Sequence, residues 1–87
     1  MRSEEIIYID RDRKIGNYVE AIRLMFEAGY PHIVLCAKGE NIDRAIQIAS
    51  KCKKNLNAKI LFYTYSKDVK NDGERKIMIL LENTIRR

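Results

Sequence analysis

Residues Ile33 to Ala49 read IVLCAKGENIDRAIQIA. This stretch constrains the fold more than any other. Five apolar residues, Ile33 to Ala37, run without a break. Lys38-Gly39 follows, and a helix-period pattern begins at Asn41. A buried strand, a tight loop and a helix N-terminus in that order aim backbone N–H groups and one lysine at the same patch of solvent, a geometry that suits a phosphate.

The rest of the chain supplies matching elements. Ile6 to Ile9 (IIYI) reads as a first strand, β1, and Asp10 to Gly16 as a charged loop. Tyr18, Val19, Ile22, Met25 and Phe26 recur at helical spacing, which predicts α1 over about Ile15 to Ala28. Asn17 and Glu20 have capping-box spacing, which would start that helix near Tyr18, and a start as early as Arg13 also fits. Gly29 and then Pro31 form a stop signal. His32 to Ala37 is β2, apolar enough for burial on both faces. Ile42, Ala45, Ile46, Ala49, Cys52 and Leu56 form one stripe, so α2 runs from Asn41 to about Asn55, with Lys51, Lys53 and Lys54 crowding its end. Lys59 to Tyr65 alternates Ile60, Phe62 and Thr64 against Leu61, Tyr63 and Tyr65, which predicts β3. Asn71-Asp72-Gly73 marks a hairpin turn, and β4 follows over Lys76 to Glu82. The tail from Asn83 to Arg87 either continues β4 or frays. Right-handed crossovers between parallel strands place both helices on one side. The expected fold is an α/β two-layer sandwich, β-α-β-α-β-β, with both helices on one face of a four-stranded mixed sheet.

An 87-residue chain is expected to form a single domain spanning residues 1–87. A domain this small leaves roughly 40% of its unfolded surface exposed, so association would stabilise it. Leu56, Phe62, Ile79 and Leu81 are apolar candidates for such an interface. The net charge of +5 is uneven. Residues 1–29 carry five basic and six acidic side chains, net −1, and residues 30–87 carry twelve and six, net +6. That excess favours a polyanionic partner. Cys36 and Cys52 form no CxxC pair, and with one histidine they cannot complete a zinc site, so two reduced core thiols and no metal or other cofactor are expected. No apolar run approaches the ~18 residues of a membrane span, and no signal peptide is expected.

Enzyme chemistry finds no constellation. His32 opens β2 after Pro31, no Ser or Cys has a base near it in sequence, and burial would blunt Cys36. The expectation is no catalysis and no small-molecule substrate. The basic residues form a better pattern. Arg11, Arg13 and Lys14 lie in the β1–α1 loop and Lys38 in the β2–α2 loop, and both loops leave the carboxyl ends of parallel strands. Gly39 would let a phosphate approach the backbone. Lys67, Lys70, Arg75 and Lys76 flank the hairpin turn as a candidate arm for a nucleic-acid groove. Asp12, Glu40 and Asp43 oppose them; the last two serve helix capping more readily than a metal or substrate. Tyr63 and Tyr65 offer base stacking only weakly, since sheet packing accounts for them more simply.

The motif Asn17-Tyr18-Val19 opening α1, and Ile33-Val34-Leu35-x-Ala37-Lys38-Gly39-x-x-Ile42-x-Arg44-Ala45, resemble the Alba family over almost the whole chain, from about Ile6 to Ile85. The resemblance implies a small, basic, dimeric archaeal chromatin protein that binds double-stranded DNA and RNA with little sequence preference. It implies a homodimer that is cytoplasmic and associated with the chromosome. It carries nucleic-acid contacts onto Arg13, Lys38 and Arg44, with Gly39 shaping the second loop and Lys70 and Arg75 on the hairpin arm. The superfamily also holds protein subunits of ribonuclease P and MRP, so an RNA scaffold is the alternative. Three positions depart from the family. Asp12 stands where the first loop carries a lysine that is acetylated in some members, Cys36 where a lysine is common, and Glu40 where an arginine or lysine is common. The hairpin also reads as short. Each lost phosphate contact lowers the salt slope by about one unit, so weaker or differently placed binding is expected.

Overall fold

A computed structural model describes residues 4–68 and 74–84 of the chain. The elements are β1 (Glu4–Tyr8), α1 (Ile15–Glu27), β2 (His32–Lys38), α2 (Ile42–Leu56), β3 (Lys59–Asp68) and β4 (Glu74–Glu82), with a 3-10 turn, Gly39–Asn41, ahead of α2. The four strands form one mixed sheet in the order β1-β2-β4-β3. β1 runs parallel to β2, while β4 is antiparallel to both β2 and β3.

Strand alternation explains the layering. Ile33, Leu35 and Ala37 of β2 and Ile77, Ile79 and Leu81 of β4 point to one face and are buried. Tyr18, Ile22 and Phe26 of α1 and Ala45, Ile48, Ala49 and Cys52 of α2 close over them in a single core. Fully burying each large member contributes about 1.5–3 kcal/mol. Both helices therefore lie on one face of the sheet, as the order of elements predicts. Ile79 and Leu81 sit at the centre of this core and not at a free surface, which corrects their expected part in an interface. Ile48, outside the stripe read from sequence, is fully buried, because α2 packs on both β2 and β4 and presents a wider face than one row.

Three local expectations are corrected. α1 begins at Ile15, as its spacing predicts, but its N-cap is Lys14 with no side-chain cap, so the Asn17–Glu20 capping box does not form. Glu20 pairs with Arg23 in place of capping, and Arg23 also meets Glu27 at 2.7 Å. α2 starts at Ile42 and not Asn41, because the 3-10 turn takes Gly39 to Asn41. In β3 the ladder passes from Ile60–Leu81 to Phe62–Leu80, so Leu61 is the extra residue of a bulge. The bulge puts Ile60, Tyr63 and Tyr65 on the helix side and Phe62 and Thr64 on the other, which breaks the expected grouping. Tyr63 and Tyr65 stay about half exposed, at 49% and 61%, since the helices do not reach over this edge strand.

The terminators work as local chemistry requires. Gly29 adopts φ +100°, and Tyr30 N–H reaches Met25 O at 3.2 Å. Asn57, in the left-handed region, ends α2 while Ala58 N–H donates to Cys52 O. Asn83, just past β4, neither continues the strand nor frays. Its Nδ2 donates to Phe26 O at 2.9 Å and Tyr30 O at 2.8 Å, which ties the C-terminal end of α1 to the sheet. Residues 85–87 of the expected tail lie outside the described residues, as does the Asn71-Asp72-Gly73 turn.

Candidate functional site

The basic side chains gather at one end of the sheet, and strand direction is the reason. β1 and β2 are parallel, so the β1–α1 loop and the Gly39–Asn41 turn both leave from that end. Lys38, the last residue of β2, faces Lys76 of β4. The β3–β4 pair runs on past it, through Lys67 opposite Arg75 to Asp68 opposite Glu74. The strands are thus longer than Lys59 to Tyr65 and Lys76 to Glu82. Lys70 lies outside the described residues.

The β1–α1 loop is held from below. The buried Tyr18 hydroxyl accepts from Asp10 N–H at 2.9 Å and donates to Asp10 O at 3.5 Å. Asp12 N–H donates to Asp10 Oδ1 at 2.9 Å, a local Asx turn. Arg44 reaches across from α2: its Nε donates to Asp10 O at 3.1 Å and its Nη2 to Arg13 O. Arg44 therefore fixes the loop, a task its position in the sequence does not announce. The Arg13 guanidinium lies 5.7 Å from the Tyr18 ring centroid, within cation–π range. Asp10, Asp12, Arg13, Lys14 and Asn17 line a shallow cleft of about 520 Å³ here.

Acids intrude on the same end. Arg11 Nη1 lies 3.3 Å from Glu40 Oε1, so the two loops touch through an ion pair. Gly39 has φ +53°, and a Cβ there would sit 3.3 Å from Glu74 Oε2. The side of Gly39 expected to receive a phosphate is therefore occupied by a carboxylate. Asp43 stands in the first turn of α2. Anion binding is better served at the Arg13–Lys14 rim and at the Lys38–Lys76 and Lys67–Arg75 pairs. Like charges directly opposite on neighbouring strands are destabilising.

Neither cysteine is poised for chemistry. Burial pushes the Cys52 thiol up to about 12 and raises Cys36 as well. Among the described residues, no group of three His, Cys, Asp or Glu side chains could hold a metal ion, and no helix is long and apolar enough to cross a membrane. The sequence reading missed two parts of the site. One is the Tyr18 anchor, whose only signal was a tyrosine among aliphatic core positions. The other is the Lys38–Lys76 pair, which needed the strand register.

Comparison with known proteins adds the decisive observation: the Alba family model matches residues 5–72, most of the chain. The chain belongs to the Alba family. Membership carries a nucleic-acid-binding role in general, in a family that is generally non-enzymatic. Solved Alba structures share the fold. Alba from Thermoplasma volcanium superposes with a TM-score of 0.70 at 23% identity, covering 88% of this chain and 98% of its own. Alba1 from Trypanosoma brucei superposes with a TM-score of 0.79 at 17% identity, covering 90% of this chain and 68% of its own. No curated protein matches by sequence. Against the Alba frame, the Tyr18 anchor and the Arg44 strap stand inside the two motifs that first suggested the family.

Proposed function

We propose that this Alba chain binds duplex DNA, and RNA as well, with little sequence preference, through Arg13, Lys14, Lys38 and Arg75 at one end of the sheet, with Arg11 beside them held by Glu40. The observation that carries the reading is that the strapped β1–α1 loop and two like-charge cross-strand pairs, Lys38–Lys76 and Lys67–Arg75, lie at the same end of the sheet, the two pairs on its opposite faces. Contacts of this type reach phosphates and not base edges, so affinity comes from counterion release. Arg44 joins the surface indirectly, by holding the carbonyls that shape the loop.

A homodimer is part of the proposal. Tyr63 and Tyr65 project on the helix side of an edge strand beyond the reach of both helices, and a second copy would cover them. The alternative, a scaffold subunit on a structured RNA, draws on the Arg11–Glu40 pair, which removes one cation from the phosphate count.

Duplex titrations at several salt concentrations test the reading. The expected result is a linear fall of log affinity with log salt, made shallower by about one unit in Arg13→Gln. An affinity indifferent to salt overturns it. Sedimentation of the wild type and of Tyr63→Glu tests the dimer.

A further inference from the structure

The face of the sheet opposite the helices carries apolar rows, beside the Lys38–Lys76 pair, that the duplex reading does not use. Register sets its side chains in rows. Ile6, Val34, Leu80 and Phe62 form one row, and Tyr8, Cys36, Met78 and Thr64 the next. Lys38, Lys76 and Ser66 form the third. The flanks stand up while the centre is low. Tyr8 is 72% exposed and Met78 43%, whereas Cys36 between them is half-buried. The result is a trough of about 590 Å³, lined by Tyr8, Cys36, Met78, Lys38 and Lys76 together with Asn41 of the 3-10 turn. Among the described residues, Asn41 Oδ1 is buried without a hydrogen-bond partner.

We propose that this trough binds single-stranded nucleic acid, one unpaired base stacking on Tyr8 and Met78 while its phosphate meets Lys38 and Lys76. The inference rests on the nucleic-acid-binding reading and names a second substrate form for it. Two observations select this occupant. An apolar row lies directly beside a like-charge pair, and rows on one face are about 6.6–6.8 Å apart, two residues along a strand. A base and its own phosphate have that mixed character, apolar on the ring face and anionic at the end. The second observation is Asn41, which lines the trough with an unsatisfied Oδ1 that a turn of its side chain would bring to the edge of a seated base. A duplex can reach the Lys38–Lys76 end of the trough but cannot stack in it, because its bases already stack on one another. Single strands stack on exposed aromatic rings with little regard to sequence.

The test measures binding of a short oligouridylate and of a short mixed-sequence duplex to the full chain. Tyr8→Ala is expected to weaken oligouridylate binding roughly five- to 150-fold, the span of one base–aromatic stack, and to leave duplex binding unchanged. Tyr8→Phe is expected to keep both. The chain has no tryptophan, so Tyr8→Trp supplies a single indole whose emission the oligouridylate should quench and the duplex should not. If wild type binds the duplex but not the single strand, or if Tyr8→Ala changes neither, the trough proposal is wrong and the duplex reading survives. If wild type binds neither probe, the broader reading fails and takes this one with it. If Tyr8→Ala dissociates a dimer and single-strand affinity holds, the face belongs to a second copy and the proposal is overturned.

Discussion

Arg11 and Glu40 form an ion pair at 3.3 Å that bridges the β1–α1 loop to the 3-10 turn. Both side chains are about three-quarters exposed, so the pair contributes at most a small fraction of the stability. Its effect on ligands is larger, because it withholds one cation from an incoming phosphate. Glu40→Gln is therefore expected to raise duplex affinity and to steepen the salt slope by about one unit, with the melting temperature nearly unchanged. Titration of one duplex at several salt concentrations, with a thermal melt of each variant, checks this. A lower affinity in Glu40→Gln would mean that the pair orders Arg11 for binding and does not compete with it.

Loop order has its own test. Tyr18→Phe removes the hydroxyl that serves both Asp10 N–H and Asp10 O, at a cost of about 0.5–1.5 kcal/mol. The Asp10 amide should lose hydrogen-exchange protection before any amide of the core strands does. Arg44→Lys should loosen the same loop, since one ammonium cannot span the Asp10 and Arg13 carbonyls as a planar guanidinium does. Unchanged protection at Asp10 in both variants would show that the backbone holds the loop unaided.

The difference between what was legible and what was not follows from range. Helical stripes, the Gly29 stop and the unbroken β2 run are local patterns, and each appears where periodicity puts it. Element order then dictated the sandwich through the handedness of parallel crossovers. The bulge at Leu61, the burial of Ile79 and Leu81 and the Lys38–Lys76 pair all depend on which residue faces which across strands. No local pattern encodes that. The convergence of Arg11 with the second loop was legible, and Glu40 was readable as a capping acid that opposes the cations, but not as the ion-pair partner of Arg11. Arg44 shows the same limit: composition marks it as a cation, and only the fold reveals the two carbonyls it holds.

Cys52 links packing to pH. The side chain is fully buried, and its thiol is pushed up to about 12 from an ordinary value of 9.0. The folded state therefore keeps a proton that the unfolded state releases. The corresponding stability is fully present below pH 9.0 and is lost as pH rises toward about 12. The stability difference between wild type and Cys52→Ala, from urea melts, should shrink across that window and stay constant below it. Thiol titration of the native protein near neutral pH should modify Cys36 ahead of Cys52, and denaturant should release the second thiol. Equal native rates would contradict the burial of Cys52.

Gly39 separates backbone strain from contact. Its φ of +53° is disfavoured for residues with a Cβ, by about 1–2 kcal/mol. A Cβ there would also press on Glu74 Oε2 at 3.3 Å, but that oxygen ends a flexible, exposed side chain that can move aside. Backbone strain should therefore dominate the cost of Gly39→Ala. Gly29 is the reference, with φ +100° and no atom within 4 Å of its built Cβ, so Gly29→Ala reports strain alone. Urea melts of Gly39→Ala, Glu74→Ala and the double variant form a cycle. The expected outcome is a Gly39→Ala penalty of about 1–2 kcal/mol that Glu74→Ala relieves only in small part. Full recovery in the double variant would assign the requirement for glycine to the carboxylate lodged beside it, and would make Glu74 the residue that shapes this turn.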